Sequence, residues 1–129
     1  MTREAFIEVL KRQEYPYEIL GNKVVVTYRG NLYLVSLTSI PPNVVFRNTG
    51  NVELYRLTSL PPGVEFRNGG NVFLDSLTSL PTGVVFKNGG DIRLKSLTGG
   101  YFTNWKGNIE GIDEKRLLNK MIKDGVFER

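Results

Sequence analysis

The sequence predicts a mainly β fold, a short single-stranded β-solenoid of about four stacked 20-residue coils with an α-helix capping each end. A 20-residue phrase recurs in register from Asn31, Asn51 and Asn71, and a shorter copy starts at Asp91. The second and third copies agree at 14 of 20 positions, which identifies a true repeat. Apolar residues alternate over short runs within each copy, as they do in half-buried strands. We expect an N-terminal helical cap over residues 1–19, coils over 20–98 and a second cap over 99–129 of a single domain.

The first element is a helix. Thr2 can act as its N-cap, and the helix is expected to run to about Gln13. Phe6, Val9 and Leu10 would then share one apolar face. Such a face can cover the open edge of the first coil, which would otherwise expose unpaired backbone groups.

A half coil follows the helix, because the segment 20–30 aligns with the segment 40–50 of the first full copy. Each full copy then holds two strands, which in the third copy lie near residues 71–75 and 84–87. Between them, the phrase SLTSLP turns a corner. Asn43, Gly63 and Gly83 precede the second strand of their coils, and these residue types tolerate a positive φ angle.

Stacking the coils places equivalent residues about 4.8 Å apart, in columns. Burying each inward side chain is worth roughly 1.5–3 kcal/mol, so the apolar columns should stabilise the fold. The three predicted inner columns are Leu34, Leu54, Leu74 and Leu94; Leu37, Leu57, Leu77 and Leu97; and Phe46, Phe66 and Phe86. A further column of Asn48, Asn68 and Asn88 is expected to form an internal amide ladder at the turn.

The last element is again a helix. Asp113 can act as its N-cap, and apolar residues recur at helical spacing as far as Asp124. Gly125 stands where a helix C-cap belongs. We interpret both end helices as covers for strand edges, with partner binding by either helix as the alternative.

The phrase SLTSLP resembles the leucine-rich repeats of bacterial proteins, which carry similar L-x-x-L-P sequences of about twenty residues. The asparagine of the leucine-rich pattern comes one place early here, at Asn68. The full phrase xSLTSLPxGVxFxNGGNVxL is similar to a β-solenoid repeat of uncharacterised bacterial and bacteriophage proteins. This resemblance covers about residues 20–98 and implies a fold, with no known activity to transfer.

The composition argues against an enzyme. The chain contains no histidine and no cysteine, which excludes serine–histidine and cysteine–histidine nucleophilic chemistry. No acidic pair recurs at catalytic or metal-ligand spacing, and the glycines of NGG stand between two strands, unlike those of a phosphate-binding loop. We therefore predict a protein without catalytic residues, metal or cofactor.

Hydropathy and charge indicate where the protein is located. No apolar run has transmembrane length, and the N-terminal segment carries charges throughout, so we expect a cytoplasmic protein that does not enter a membrane. The net charge is +4, from 17 basic and 13 acidic side chains spread along the chain.

The outward positions of the first strand differ from copy to copy while the inward ones do not. Variable outward positions on a repeat scaffold are where binding specificity usually lies, and exposed aromatic residues are common interface anchors. Packing between neighbouring strands is the alternative role for these side chains. The predicted protein-binding residues are Tyr33, Glu53, Tyr55, Phe73, Asp75, Arg93 and Lys95, with Val35 beside them.

A basic column follows the second strand and consists of Arg47, Arg67 and Lys87. Neighbouring cations about 5 Å apart in water repel by about 0.8 kcal/mol, so the repetition suggests a phosphate or an acidic partner. Basic side chains that splay into solvent and protect a strand are the alternative, and Glu65 offsets part of the charge.

A hydroxyl column at the corner, which includes Thr58 and Thr78, suggests hydrogen bonds to the backbone, with ordered water for ice binding as the less favoured role. The sequence thus supports a non-catalytic protein-binding module, for example a small inhibitor or adaptor encoded by a phage or bacterium. Nucleic-acid binding through the basic column, and a structural role with oligomers formed through solenoid ends or faces, are the alternatives.

Overall fold

A computed structural model describes residues 1–79 and 84–96, together with the backbone of Phe102–Thr103 and Phe127–Glu128. This part of the chain is mainly β, with one N-terminal helix and a β-solenoid of about three turns. The predicted C-terminal helix over 113–124 and the end of the fourth coil lie outside the described residues, as do Leu80, Gly83 and Leu97.

Helix α1 spans Arg3–Arg12, in agreement with the prediction. The Thr2 side chain accepts a hydrogen bond from the backbone N–H of Ala5 at 3.1 Å, which satisfies one of the free donors of the first turn. Phe6 and Leu10 lie one helical turn apart and are fully buried, while Val9 packs at the margin of the core. The helix therefore packs its apolar face onto the core of the solenoid.

A hairpin that was not predicted connects the helix to the coils. Strand β1, Tyr17–Leu20, pairs antiparallel with β2, Lys23–Val26, across a turn in which Gly21 has a φ of 63°. The half-coil alignment is right for β2, since Val24 pairs with Val44 in parallel. It is wrong for Leu20, which lies in β1 and is 57% exposed, whereas the aligned Ile40 is buried.

Each coil contributes one short strand to each of two sheets. Apart from β1, neighbouring strands are parallel and their partners differ by 20 residues, as the repeat predicts. The five-stranded sheet has the order β1, β2, β4 (Val44–Phe46), β6 (Glu65–Phe66) and β8 (Val85–Phe86). The four-stranded sheet consists of β3 (Leu32–Tyr33), β5 (Val52–Glu53), β7 (Val72–Phe73) and β9 (Ile92–Arg93). Strands β10 (Phe102–Thr103) and β11 (Phe127–Glu128) form an antiparallel pair.

The core between the sheets consists of the predicted columns. Phe46, Phe66 and Phe86 are fully buried, with neighbouring ring centroids 5.2 and 5.1 Å apart and planes nearly parallel. The leucine columns that start at Leu34 and Leu37 are buried throughout the described part. Apolar contact between equivalent residues therefore holds each coil to the next.

The turn before the second strand is left-handed in the first two full coils, as predicted, while Gly83 of the third lies outside the described residues. Asn43 has a φ of 62° and Gly63 a φ of 78°. Asparagine and glycine adopt this conformation at low cost, which accounts for the two residue types at one coil position. At the preceding corner, the Thr78 hydroxyl donates to the Thr58 carbonyl at 3.4 Å, as expected for a hydroxyl that bonds the backbone.

Two asparagine columns hold the other corner. Asn48, Asn68 and Asn88 are buried as predicted, but their side-chain amides do not bond one another. Each Nδ2 instead lies within hydrogen-bonding distance of three backbone carbonyls, which for Asn68 are those of Gly50, Gly70 and Asn71. The second column was not predicted: Asn31, Asn51 and Asn71 each accept, through Oδ1, the backbone N–H of the residue twenty positions later.

Candidate functional site

Two surfaces carry the predicted binding residues. The outer face is the outward side of the four-stranded sheet and comprises Tyr33, Val35, Glu53, Tyr55, Phe73, Asp75, Arg93 and Lys95. The basic column comprises Arg47, Arg67 and Lys87 and lies on the five-stranded sheet. Because both sheets turn their apolar residues toward one core, the two surfaces point in different directions.

The parallel register brings half of the outer face into one row. Tyr33 pairs with Glu53, Glu53 with Phe73, and Phe73 with Arg93. Four residues that the sequence separates by 20 positions each thus become neighbours about 4.8 Å apart.

The centre of the outer face is an ordered stack. The rings of Tyr55 and Phe73 lie 5.3 Å apart at 28°, and the Arg93 guanidinium lies 5.5 Å from the centroid of Phe73. Arg93 Nε is also 3.9 Å from Asp75 Oδ1. Aromatic stacking, a cation–π contact and an ion pair therefore hold these side chains in one arrangement.

Glu53 extends this network to the Tyr55 hydroxyl. Burial raises the pKa of Tyr55 above its ordinary value, and the charge of Glu53 and its hydrogen bond with the Tyr55 hydroxyl raise it further. A neutral phenol can donate a hydrogen bond to the Glu53 carboxylate and a phenolate cannot, so the contact disfavours ionisation of Tyr55.

The N-terminal end of the outer face holds its exposed apolar residues. Tyr33 is 52% exposed and Val35 is 43% exposed, whereas Tyr55 and Phe73 are half-buried against each other. Tyr33 is held in place: its backbone N–H donates to the Tyr15 hydroxyl, and its own hydroxyl accepts from Asn31 Nδ2, both at 3.1 Å. Of the three aromatic residues predicted to be exposed, Tyr33 alone has more than half of its surface open.

The basic column surrounds an open depression of about 360 Å³, whose described lining residues are Arg47, Arg67 and Lys87. Their backbone N–H groups donate to Val26, Phe46 and Phe66 at 2.7–2.8 Å, which extends the sheet bonding one residue beyond the strands. The three side chains therefore start one strand spacing apart, as the sequence predicted.

Glu65 is the acidic neighbour of this column. Arg67 donates to Glu65 Oε1 through Nε at 3.0 Å and Nη2 at 2.8 Å, while Lys23 reaches Oε2 at 3.2 Å. Burial raises the pKa of the Glu65 carboxyl, but hydrogen bonds from Arg67 and Lys23 and their positive charges outweigh burial, so this pKa lies below its ordinary value.

The bridging role of Lys23 was missed by the sequence reasoning. Lys23 extends from β2 across β4 to a carboxylate on β6, and Val45 lies between the two strands it connects. The available signal was Glu65 itself, which occupies a coil position where the neighbouring coils carry Val45 and Val85. A single acidic residue in a valine column indicates a local partner, because a partly buried carboxylate needs one.

Within the described ranges, no group of three acidic, histidine or cysteine side chains is arranged to hold a metal ion. The same part of the chain has no helix with the length and apolarity required to cross a membrane.

No family model, curated protein or solved structure matches this chain. Its function is therefore inferred from the chemistry of its surfaces.

Proposed function

We propose that this protein is a non-catalytic binding module that presents the outer face to a protein partner. The observation that carries the proposal is the combination of an exposed apolar end, Tyr33 and Val35, with an ordered stack of Tyr55, Phe73 and Arg93. Interface anchors of protein complexes are enriched in tyrosine, tryptophan and arginine.

The stack supports binding because its side chains are already ordered. Immobilising a flexible side chain at an interface costs about 0.5–1.5 kcal/mol, and residues held by stacking and ion pairs avoid much of that cost. Tyr33 is likewise held by Tyr15 and Asn31. The face can therefore bury aromatic surface against a partner with little loss of conformational entropy.

Photo-crosslinking tests the proposal with two variants, one carrying a crosslinking residue at position 33 of the outer face and one carrying it at position 47 on the other sheet. We expect the variant at position 33 to capture a discrete protein from a lysate of the native host. The variant at position 47 should not capture that protein. Substituting Tyr33→Ala and Val35→Ser together should then abolish the binding of the purified partner. If positions 33 and 47 captured the same set of proteins, or if the double substitution left binding unchanged, the proposal would be wrong.

A second candidate function is assembly through the N-terminal edge of the five-stranded sheet. Strand β1 has four residues, and no described strand pairs with its outer edge. Ile19 is 46% exposed and Leu20 57% exposed on this strand. Exposed apolar edge strands pair readily with other strands, so we propose a second copy of β1 as the partner.

A further inference from the structure

We propose that the basic column is a site for the phosphate backbone of nucleic acid, bound without regard to base sequence. The column lies on the sheet opposite the outer face, so this inference does not depend on the protein-binding proposal. Three observations lead to it: the alignment of the cations, their charge balance and the shape of the surface between them.

The alignment follows from the fold. Backbone hydrogen bonds from Arg47, Arg67 and Lys87 to the preceding coil place the three residues in one row at strand spacing. Their side chains are long, so the charged groups can spread along the row to match a chain of anions. A linear row of cations suits a linear polyanion better than it suits a single small ion.

The charge balance leaves the row positive. Glu65 forms ion pairs with both Lys23 and Arg67, so one carboxylate serves two cations. Arg47 is exposed and makes neither an ion pair nor a side-chain hydrogen bond in the described part of the chain. Like charges held side by side repel, and an anion that spans them relieves this repulsion.

The shape of the surface favours the backbone over the bases. The depression of about 360 Å³ is open to solvent, and its described lining residues are the three cations. The stacked aromatic residues at the surface, Tyr55 and Phe73, belong to the other sheet, and those of this sheet are buried in the core. Contacts with phosphates set position and affinity, whereas contacts with base edges set sequence preference, so this site should be indifferent to sequence.

Salt-dependent binding of labelled oligonucleotides tests the proposal. Because Arg67 shares its charge with Glu65, we expect a slope of log affinity against log salt between that of two and of three phosphate contacts, about −1.4 to −2.1 for a single strand and about −1.8 to −2.7 for a duplex. Raising the salt from about 50 to about 200 mM should therefore weaken binding to a single strand about 7- to 18-fold. Oligonucleotides of unrelated sequence should bind equally well.

Two matched variants locate the site. Arg47→Gln removes an exposed charge whose loss disturbs no described ion pair, and it should lower the magnitude of the slope by about 0.7–0.9. Arg56→Gln removes the same charge from an exposed residue that follows β5 of the opposite sheet, and it should leave the slope unchanged. Circular dichroism verifies that both variants are folded.

Several outcomes would overturn the inference: no oligonucleotide binding at low salt, a slope near zero, or equal effects of the two variants. Polyglutamate serves as the probe for an acidic protein partner. If polyglutamate bound through Arg47 and oligonucleotides did not, the column would serve a protein and the nucleic-acid proposal would be wrong.

Discussion

At the scale of single residues, a few side chains satisfy charges or backbone groups that the repeat leaves open. Glu65 replaces a valine and is held by a cation from each side. Asn68 and its equivalents add a second hydrogen bond to carbonyls of the turn that already accept a backbone N–H from a neighbouring coil. These extra hydrogen bonds tie the turns of successive coils together.

Glu65 makes stability depend on acid. Its pKa in the folded protein is below its ordinary value, which is 4.5, so the folded state favours the ionised carboxylate. The stabilisation is therefore complete above the unfolded pKa and is lost as the pH falls through the folded pKa. We expect Glu65→Gln to lower the free energy of unfolding at pH 7. The free energies of unfolding of the variant and the wild type should then converge as the pH falls below about 4.5.

Urea denaturation at a series of pH values measures this effect. Lys23→Gln removes one of the two cations that pair with Glu65. It should lower the free energy of unfolding at pH 7 by less than Glu65→Gln does, and this difference from the wild type should also shrink at acid pH. Parallel curves for the wild type and Glu65→Gln would show that the ion pairs contribute nothing.

Asn68 offers a second test at this scale. Asn68→Ala removes one hydrogen-bond donor from the carbonyls of Gly50, Gly70 and Asn71, each of which also accepts a backbone N–H. A hydrogen bond contributes about 0.5–1.5 kcal/mol net, so we expect a loss of about 1–3 kcal/mol in the free energy of unfolding. Asn22→Ala, in an exposed turn, should change stability by less than about 0.5 kcal/mol, and similar losses for the two variants would contradict the assigned role.

At the scale of elements, each strand is too short to be stable alone. Most strands contain two or three residues, and they persist because their equivalents in neighbouring coils pair in parallel. The phenylalanine column joins these strands through the core, with Phe66 in contact with Phe46 and Phe86. Stability of the sheet therefore depends on contacts between coils more than on contacts within one coil.

Truncating one phenylalanine of the core and one of the outer face compares how much each contributes to the stability of the fold. Phe66→Ala removes a ring buried between two others and should cost about 3–5 kcal/mol. Phe73→Ala removes a half-buried ring of the outer face, where loss of the aromatic pair costs about 0.5–1.5 kcal/mol in addition to the modest loss of burial. Urea denaturation followed by circular dichroism compares them, and equal losses would mean that the inner column is not dominant.

At the scale of the whole molecule, the described coils present two surfaces of different chemistry and an edge strand, β1, whose outer side pairs with no described strand. The outer face combines aromatic and charged residues, and the basic column is positive. Strand β1 lies at the N-terminal end of the five-stranded sheet and exposes Ile19 and Leu20 beside the charged Glu18. Because the surfaces are separate, substitutions on one should leave the functions of the others unchanged.

The edge can be tested by self-association. If β1 pairs with a second copy, the mass measured by light scattering should rise toward that of a dimer as the protein concentration increases. Ile19→Lys should keep the protein monomeric, since a charge on an exposed edge strand discourages pairing. Val35→Lys, a matched change on the outer face, should not, and a wild type that is monomeric at every concentration would exclude assembly through β1.

How far sequence reasoning reached can be judged from particular residues. The apolar offsets predicted the burial of Phe66 and Leu54, and the recurring asparagine predicted the burial of Asn68, because a strict period places the same position inside every coil. The alignment failed at Leu20, where a hairpin replaces the coil. Its Gly-Asn turn is visible in the sequence, but the similarity to the next coil concealed it.

The sequence by itself determined the period, the parallel register and the inward columns, because burial of apolar residues at fixed offsets allows one stacking arrangement. The tertiary structure alone decided which outward residues are open. Tyr55 is half-buried because Phe73 of the next coil stacks on it, whereas Tyr33 lies near the end of the face and remains exposed. The exposure of an outward residue depends on which side chains of other coils contact it, as Lys23 contacts Glu65. The packed structure sets the distances over which such contacts form.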